Sequence, residues 1–291
     1  MSTPALRIDA VGPQVTIQDL GRPGHASLGV TEGGAADRLS LRRANRLVGN
    51  AEDAAALEIL IGGLEVTALT DVTVAVSGAP CRLSHDDEPK ETESPLRLRS
   101  GDRLRIGTAP VGLRSYLAVA GGVAAPVLLG SRSSSPSMGI GPAPLRDGDV
   151  VAVGASPLRA ADEPGFGSWR TGALTVEVIL GPRHDLFTPE SVETLFASAW
   201  AVTSDLDRVG VRLDGPALRQ QDPSATLASE GVVRGALQVP PTGRPTVFLA
   251  DHPVTGGYPV IGVVRDADAD AIAQLRPSDE LRFRRAAPPW R

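Results

Sequence analysis

Short apolar, β-branched runs that end at glycine or proline turns most strongly constrain the fold of this 291-residue chain. Between residues 56 and 153 they follow one another as ALEIL, LEVTA, VTVAVSGAP, RLRIG, SYLAVAGG and VVAVG. The chain holds 32 glycines and 25 prolines, and many short strands need such a supply of turn residues. Residues 33–50 and 189–199 instead have the spacing of an amphipathic helix. The sequence therefore predicts a mainly β protein with few helices.

A weak repeat and one irregular segment predict two β-rich lobes. Residues 155–172 have no sustained period and many turn residues, so we place the boundary there, between lobes at 1–160 and 170–291. Three segments share a turn followed by a strand: LRSGDRLRIG, LRDGDVVAVG and LRPSDELRF. We expect the second copy to close the first lobe and the third to close a C-terminal barrel. Ser278 replaces glycine in the third copy, so that turn must tolerate a Cβ atom.

Capping residues mark the ends of both predicted helices. Asp37 is placed at the N-cap of the first helix, and Gly49 can adopt the left-handed conformation that stops it. The second helix takes Thr188 as its N-cap and Pro189 at its first helical position. Asp37 is interpreted as a capping residue, with contact to a ligand as the alternative.

Composition and charge exclude several classes of protein. The net charge is −5 and no basic block occurs, so nucleic acid is not expected as a partner. The absence of a signal-like or membrane-length apolar run, together with a single cysteine, Cys81, predicts a cytoplasmic protein that does not bind membranes. Lys90 is the only lysine and no GxxxxGK[ST] motif occurs. The chain is therefore expected to hold no nucleotide loop, Schiff-base lysine or biotin of its own.

The polar segment His85–Ser94 is predicted to be an exposed loop. His85 and the acids that follow it could suggest a metal site. Consecutive side chains do not easily converge on one ion, however, and no second histidine lies at ligand spacing. We therefore expect no metal site in this chain.

A carboxylate closes one of the C-terminal strands. The apolar run Thr246–Ala250 stops at Asp251, and a Gly-Gly-Tyr-Pro turn separates it from a second strand, Val260–Val264. A carboxylate at a partly buried strand mouth can have its pKa raised by desolvation, so Asp251 is the candidate general base. A structural ion pair is the alternative for this residue.

Arginines and amides supply the remaining candidate contacts with a substrate. Arg208 and Arg212 flank Gly210, which favours a loop, and they could clamp a carboxylate or pair with Asp205, Asp207 or Asp214. Asp19 and Arg22 flank a turn, where they could bind a ligand or brace the turn. Amide and hydroxyl groups suit an amide or urea carbonyl. The predicted substrate-binding set is Gln18, Asp19, Arg22, Arg208, Arg212, Gln238, Thr255 and Tyr258.

Several longer segments resemble one known family. They are TIQDLGRPG, ALEILIGG, SYLAVAGGVAAPVLLGSRSSS, QVPPTGRP, LADHPVTGGYP and AQLRPSDELRF. In this order they resemble allophanate hydrolase subunit 2, which is also called the C subunit of 5-oxoprolinase and corresponds to subdomains A and B of the urea carboxylase carboxyltransferase. The resemblance implies a cyclophilin-like barrel in the C-terminal lobe. Two polar positions of the family's key loop are Pro253 and Val254 here, and a usual methionine is Ala36.

The resemblance also implies an activity and partners. The chain is expected to be a subunit of a heteromeric ATP-dependent amidohydrolase of the 5-oxoprolinase or allophanate hydrolase type. Such an enzyme hydrolyses a C–N bond of a small amide or urea-like substrate. The implied partners are a subunit 1 protein, which is like the B subunit of 5-oxoprolinase, and a LamB/YcsF-like protein as the A subunit, and ATP is used by the complex. The alternatives are a carboxyltransferase component that receives carboxybiotin from another chain, and a non-catalytic module of a histidine kinase regulator pair.

Overall fold

The computed structural model describes residues 2–154, 172–181, 183–224 and 227–287. The chain divides into two compact units. The N-terminal unit comprises Met1–Gly24 and Glu32–Trp169, and the barrel unit comprises His25–Thr31 and Arg170–Arg291. The predicted boundary segment, apart from Gly172, lies outside the described residues, so the lobe limits remain a prediction. Assignment of residues 25–31 to the barrel unit was not predicted.

The strands described in the N-terminal unit form two antiparallel sheets. A seven-stranded sheet has the order β11-β12-β1-β4-β9-β6-β7, and a five-stranded sheet has the order β2-β3-β10-β5-β8. The strands are β1 (Thr3–Ala10), β2 (Gln14–Gln18), β3 (Ala56–Leu60), β4 (Leu64–Ala68), β5 (Val72–Gly78), β6 (Leu83–His85), β7 (Glu88–Lys90), β8 (Leu96–Leu98), β9 (Arg103–Ile106), β10 (Arg114–Val119), β11 (Val123–Ala124) and β12 (Val150–Val153).

Alternation along the strands explains how the two sheets and the first helix pack. Leu57 and Leu117 point into an apolar core to which both sheets contribute. Their neighbours in sequence, Ala56 and Tyr116, face the opposite side and join a second core with the helix α1 (Arg38–Leu47). The five-stranded sheet is thus apolar on both faces.

The predicted caps of α1 are confirmed. The Asp37 carboxylate accepts a hydrogen bond from the Ser40 amide at 2.9 Å, which satisfies one of the free amides at the start of the helix. Gly49 has a φ of 73° and donates to the Arg46 carbonyl at 3.0 Å. The helix begins later than the predicted segment 33–50, because Gly33 and Gly34 also have positive φ.

The barrel unit contains a closed barrel, which confirms the predicted mainly β fold with its C-terminal barrel. Its strand order is β13-β20-β17-β18-β15-β14-β21, and a parallel pair between β13 and β21 closes it. The elements of this unit are β13 (Leu174–Leu180), α2 (Pro189–Ala197), β14 (Ala199–Leu206), β15 (Gly210–Asp214), β16 (Glu230–Gly231), β17 (Ala236–Gln238), β18 (Thr246–Phe248), β19 (Thr255–Gly256), β20 (Val260–Val264), α3 (Asp266–Ile272) and β21 (Glu280–Arg285). Strands β16 and β19 pair separately.

Two predicted loops are instead β-hairpins. The polar segment from residue 85 enters the turn between β6 and β7, where Asp86 and Asp87 have φ of 48° and 68°. Aspartate tolerates these angles, which a tight two-residue hairpin requires. The same segment also contains Glu93, whose side chain is buried against Ser77, so its prediction as wholly exposed was wrong. Likewise Arg212 lies within β15, not in a loop.

The three repeated segments form the same turn. In each copy an aspartate carboxylate accepts a hydrogen bond at 2.8 Å from an amide three residues earlier, and the preceding residue has a positive φ. The aspartate and φ-positive residues are Asp102 with Gly101 (97°), Asp149 with Gly148 (88°) and Asp279 with Ser278 (73°). A strand follows directly in each case: β9, β12 or β21. The prediction that this turn must tolerate a Cβ atom is confirmed, because Ser278 has a positive φ.

Candidate functional site

A cleft of about 520 Å³ lies on the barrel unit. This volume is within the range of small-molecule sites, roughly 300–1,000 Å³. The lining comes from the β14–β15 hairpin and from the ends of neighbouring strands: Ser204, Asp205, Leu206, Asp207, Val209, Gly210, Arg212, Gln238, Pro240, Thr246, Phe248 and Tyr258. Three predicted substrate-binding residues, Arg212, Gln238 and Tyr258, are therefore brought to one cleft.

Gln238 occupies the buried part of this lining and has a fixed orientation. It ends β17 and is 9% exposed, and its Nε2 donates to the Tyr258 carbonyl at 3.1 Å. A Cβ atom at Gly256 would overlap the Gln238 amide nitrogen, so the glycine of the Gly-Gly-Tyr-Pro turn leaves room for this side chain. Thr255 pairs in β19 and is exposed, but it is not part of the lining.

Arg212 lies in the exposed part of the cleft and forms the ion pair proposed as its alternative role. Its NH1 atom is 3.0 Å from the Asp205 carboxylate, and both side chains are exposed. Asp207 also lines the cleft, and its Oδ1 accepts the amides of Val209 and Gly210 at 2.7 and 3.1 Å. The carboxylate of Asp207 therefore shapes the hairpin turn.

Arg208 and Asp251 form a buried bidentate ion pair. Arg208 Nε and NH2 lie 2.9 and 3.1 Å from the two carboxylate oxygens, and the side chains are 9% and 2% exposed. The Asp251 amide also donates to the Arg208 carbonyl at 2.9 Å. Arg208 thus pairs with Asp251, which was not among the three aspartates named from the sequence. The pair joins the β14–β15 turn to the segment after β18, and neither residue lines the cleft.

The predicted residues of the N-terminal unit form a separate buried network. Asp19 accepts hydrogen bonds from the amides of Gly21 and Arg132 and from the hydroxyls of Ser131 and Ser133. Gln18 Nε2 donates to Thr16 Oγ1 and to the Ser134 carbonyl, each at 3.0 Å.

Arg22 belongs to the same network, because its NH2 group donates to the Ser133 carbonyl. Gln18, Asp19 and Arg22 therefore brace their turn against the loop 131–135. The predicted role of these three residues in binding a substrate remains a prediction.

Sequence reasoning missed a second polar cluster under the start of α1. Tyr116 donates to Glu58 at 2.7 Å and accepts the Asp37 amide at 2.8 Å, and Glu58 also accepts the Ala36 amide at 2.9 Å. Burial raises the pKa of Tyr116 well above its usual value, and the neighbouring carboxylates of Glu58 and Asp37 add to the effect. The available signal was the alternation of side chains along strands β3 and β10. This alternation places Glu58 and Tyr116 on the face of the sheet that packs against α1.

One group of possible metal ligands occurs among the described residues. His85, Asp86 and Asp102 offer atoms within 4.8 Å of one another. The Asp102 carboxylate already accepts the Arg99 amide and contacts His85 at 2.8 Å, and Asp86 accepts the Arg103 amide. These bonds stabilise turns, so we assign no metal to the group. In the part of the chain that the structure describes, none of the helices has the length and apolar character needed to span a bilayer.

Comparison with known proteins adds the family relationship. The family model "Carboxyltransferase domain, subdomain A and B" matches residues 28–285. The C subunit of 5-oxoprolinase from Escherichia coli K12 is 36% identical over 281 residues, which cover 96% of this chain and 90% of that protein.

Two solved structures have a similar fold. The crystal structure of TTHA0988 has a TM-score of 0.88 at 34% identity and matches 97% of this chain and 55% of its own. The urea carboxylase of Kluyveromyces lactis has a TM-score of 0.90 at 29% identity and matches 99% of this chain and 28% of its own. The chain thus spans about half and about a quarter of the lengths of these two proteins.

Proposed function

Because the chain belongs to the carboxyltransferase subdomain A and B family, we propose that it is a subunit of a heteromeric ATP-dependent amidohydrolase of the 5-oxoprolinase type. The observation that carries this proposal is the similarity to the E. coli 5-oxoprolinase C subunit, which extends along nearly the whole of both chains. The reaction is hydrolysis of a C–N bond in a small amide, coupled to ATP by the complex.

The barrel cleft supports an amide as the substrate class. Its lining includes Gln238, Tyr258 and Thr246, whose side chains carry an amide and two hydroxyl groups, and the apolar Phe248. Such groups hydrogen-bond an amide, and a donor placed at the carbonyl oxygen stabilises the charge that develops there during attack by water. Asp251 remains the candidate general base, with its Arg208 pair as the competing structural role.

The proposed complex contains a protein like the B subunit of 5-oxoprolinase, with a LamB/YcsF-like protein as a further member. The sequence has no P-loop motif and one lysine, so the ATP-dependent step is assigned to the assembly and not to this chain alone. An obligate interface of this kind should bury more than about 2,000 Å². Co-expression followed by size-exclusion chromatography is expected to yield a stable complex of this chain with the first of these partners.

ATP-dependent release of glutamate from 5-oxoproline tests the proposed reaction. The three co-purified proteins are expected to release glutamate only when ATP is present, and omission of this chain should abolish the release. If the complete mixture consumes no 5-oxoproline, or works at the full rate without this chain, the proposal is wrong.

A carboxyltransferase role is the second candidate, and the match of nearly the whole chain to part of a urea carboxylase favours it. In that case carboxybiotin would come from another chain, because the lone Lys90 lies on the β6–β7 hairpin and pairs with Glu88. Loss of carboxybiotin on addition of urea, without release of glutamate from 5-oxoproline, would support this role. Inactivity in both assays would instead favour the third alternative, a non-catalytic binding module of a histidine kinase regulator pair.

A further inference from the structure

We propose that the barrel cleft binds its ligand through a neutral amide N–H group and not through a carboxylate. The class of ligand rests on the proposed function, but the way it is held is argued from the cleft alone. This assignment differs from a guanidinium clamp on an anionic substrate, which the two arginines predicted.

The charges around the cleft disfavour an anion. Asp205 and Asp207 both line it, whereas Arg212 is the only positively charged group among the described residues of that lining. Arg212 already pairs with Asp205, and the nearby charge of Arg208 is matched by Asp251 in a buried pair. A carboxylate would therefore meet one excess negative charge, whereas N–H donors would meet acceptors.

Gln238 supplies an acceptor in the buried part of the lining. The Tyr258 carbonyl can only accept a hydrogen bond, so the side-chain atom 3.1 Å from it must be the amide nitrogen. The Gln238 Oε1 atom is thereby directed away from Tyr258. No described residue donates a hydrogen bond to Oε1 within the chain, so this oxygen is available to accept an amide N–H from a ligand.

Phe248 and Val209 give the cleft an apolar surface beside this acceptor. A small lactam or primary amide combines a carbon skeleton with an N–H donor and so matches both features. Gly256 is needed for this arrangement, because a side chain there would displace the Gln238 amide.

Binding of three small probes to the full chain tests the inference, with ¹H–¹⁵N NMR spectra as the readout. The probes are 2-pyrrolidinone, N-methyl-2-pyrrolidinone, which lacks the N–H, and 5-oxoproline, which adds a carboxylate. We expect 2-pyrrolidinone to shift the Gln238 side-chain amide signals and the N-methyl compound to bind at least about tenfold more weakly, since tenfold corresponds to about 1.4 kcal/mol, the scale of one hydrogen bond. 5-Oxoproline is expected to bind no more tightly than 2-pyrrolidinone.

Variants test whether 2-pyrrolidinone binds in the cleft. Gln238→Leu and Gly256→Ala should each weaken 2-pyrrolidinone binding at least about tenfold, and the spectra themselves report whether each variant is folded. Gln220→Leu makes the same chemical change outside the lining and should leave binding unchanged. The inference is overturned if N-methylation has no effect, if no probe binds, or if 5-oxoproline binds at least about tenfold more tightly and Arg212→Gln removes that advantage.

The two proposals fail separately, because the binding test needs neither ATP nor partner proteins. Selective lactam binding by a chain whose complex releases no glutamate would leave the cleft assignment standing and refute the oxoprolinase role. Glutamate release by a complex in which this chain binds no lactam would refute the cleft assignment alone.

Discussion

At the residue scale, the Arg208–Asp251 pair separates a structural role from a catalytic one. Asp251→Asn replaces one partner of a buried pair in which both carboxylate oxygens are bonded to the guanidinium. Breaking such a pair leaves an uncompensated buried charge, so we expect the free energy of unfolding to fall by about 3–5 kcal/mol. Urea denaturation followed by circular dichroism measures this loss.

A double variant provides the control for this prediction. Arg208→Met with Asp251→Leu removes both charges and should recover much of the stability lost by the single variant, because no unpaired ion is left. The alternative outcome is also informative. If Asp251→Asn keeps wild-type stability while the assembled complex loses turnover, Asp251 acts as the predicted general base and not mainly as a brace.

Glu93 predicts a pH dependence of stability. Burial raises the pKa of its carboxyl above the usual value, although Ser77 at 2.9 Å and Arg43 oppose that shift. The folded chain therefore binds this proton more tightly than the unfolded chain does. The resulting stabilisation is fully present below the unfolded pKa of about 4.5 and is lost as the pH rises through the higher folded value.

Glu93→Gln tests that direction. The variant should gain stability relative to the wild type as the pH rises through this window, and the difference should then become constant. Unfolding free energies at a series of pH values measure it, with the exposed Glu91→Gln as the control. Parallel pH profiles for wild type and Glu93→Gln would show that the carboxyl of Glu93 has no raised pKa in the folded chain.

At the element scale, the turn before β21 is the strained member of three similar turns. Ser278 has a φ of 73°, where the other two copies have glycine. A side chain in this region costs about 1–2 kcal/mol, and the greater freedom of glycine in the unfolded chain offsets about half of that. Ser278→Gly should therefore raise the free energy of unfolding by up to about 1 kcal/mol. Urea denaturation of the variant and the wild type measures the difference.

The reverse substitution in another copy is the matched control. A Cβ atom at Gly148 would have nothing within 4 Å, so Gly148→Ser introduces the strain without a clash. It should lower the free energy of unfolding by up to about 1 kcal/mol. If Ser278→Gly destabilises the protein while Gly148→Ser behaves as expected, the Ser278 hydroxyl contributes more than its backbone strain costs.

At the scale of the whole molecule, the single lysine allows a test for amine chemistry. Lys90 Nζ lies 2.9 Å from Glu88 on an exposed hairpin, and the chain has no other lysine. Lys90→Arg is expected to leave the activity of the complex unchanged, because the sequence predicts neither a Schiff-base lysine nor a biotin in this chain. Glu88→Gln breaks the same ion pair but keeps the amine. A loss of activity in Lys90→Arg alone would therefore implicate the amine itself.

The sequence by itself determined those features that depend on a few neighbouring residues. Asp37 and Gly49 end α1, Pro189 begins α2, and the Gly-Asp or Ser-Asp turns precede their strands as predicted. Propensities, caps and turns act over three or four positions, so their signals survive in the sequence without knowledge of the fold. Asp86 and Asp87 form the tight turn between β6 and β7, but the segment is so polar that the sequence predicted an exposed loop there.

The tertiary structure alone decided which distant groups meet. Arg208 and Asp251 are 43 positions apart in the sequence, and Asp19 and Ser133 are 114 positions apart, yet each pair is hydrogen-bonded. Chain order does not encode these choices, because closure of the barrel and the path of loop 131–135 select one partner among many residues of suitable charge. The same closure brings Arg212, Gln238 and Tyr258 to one cleft. Arg208 and Asp251 instead form their bidentate ion pair outside the lining of that cleft.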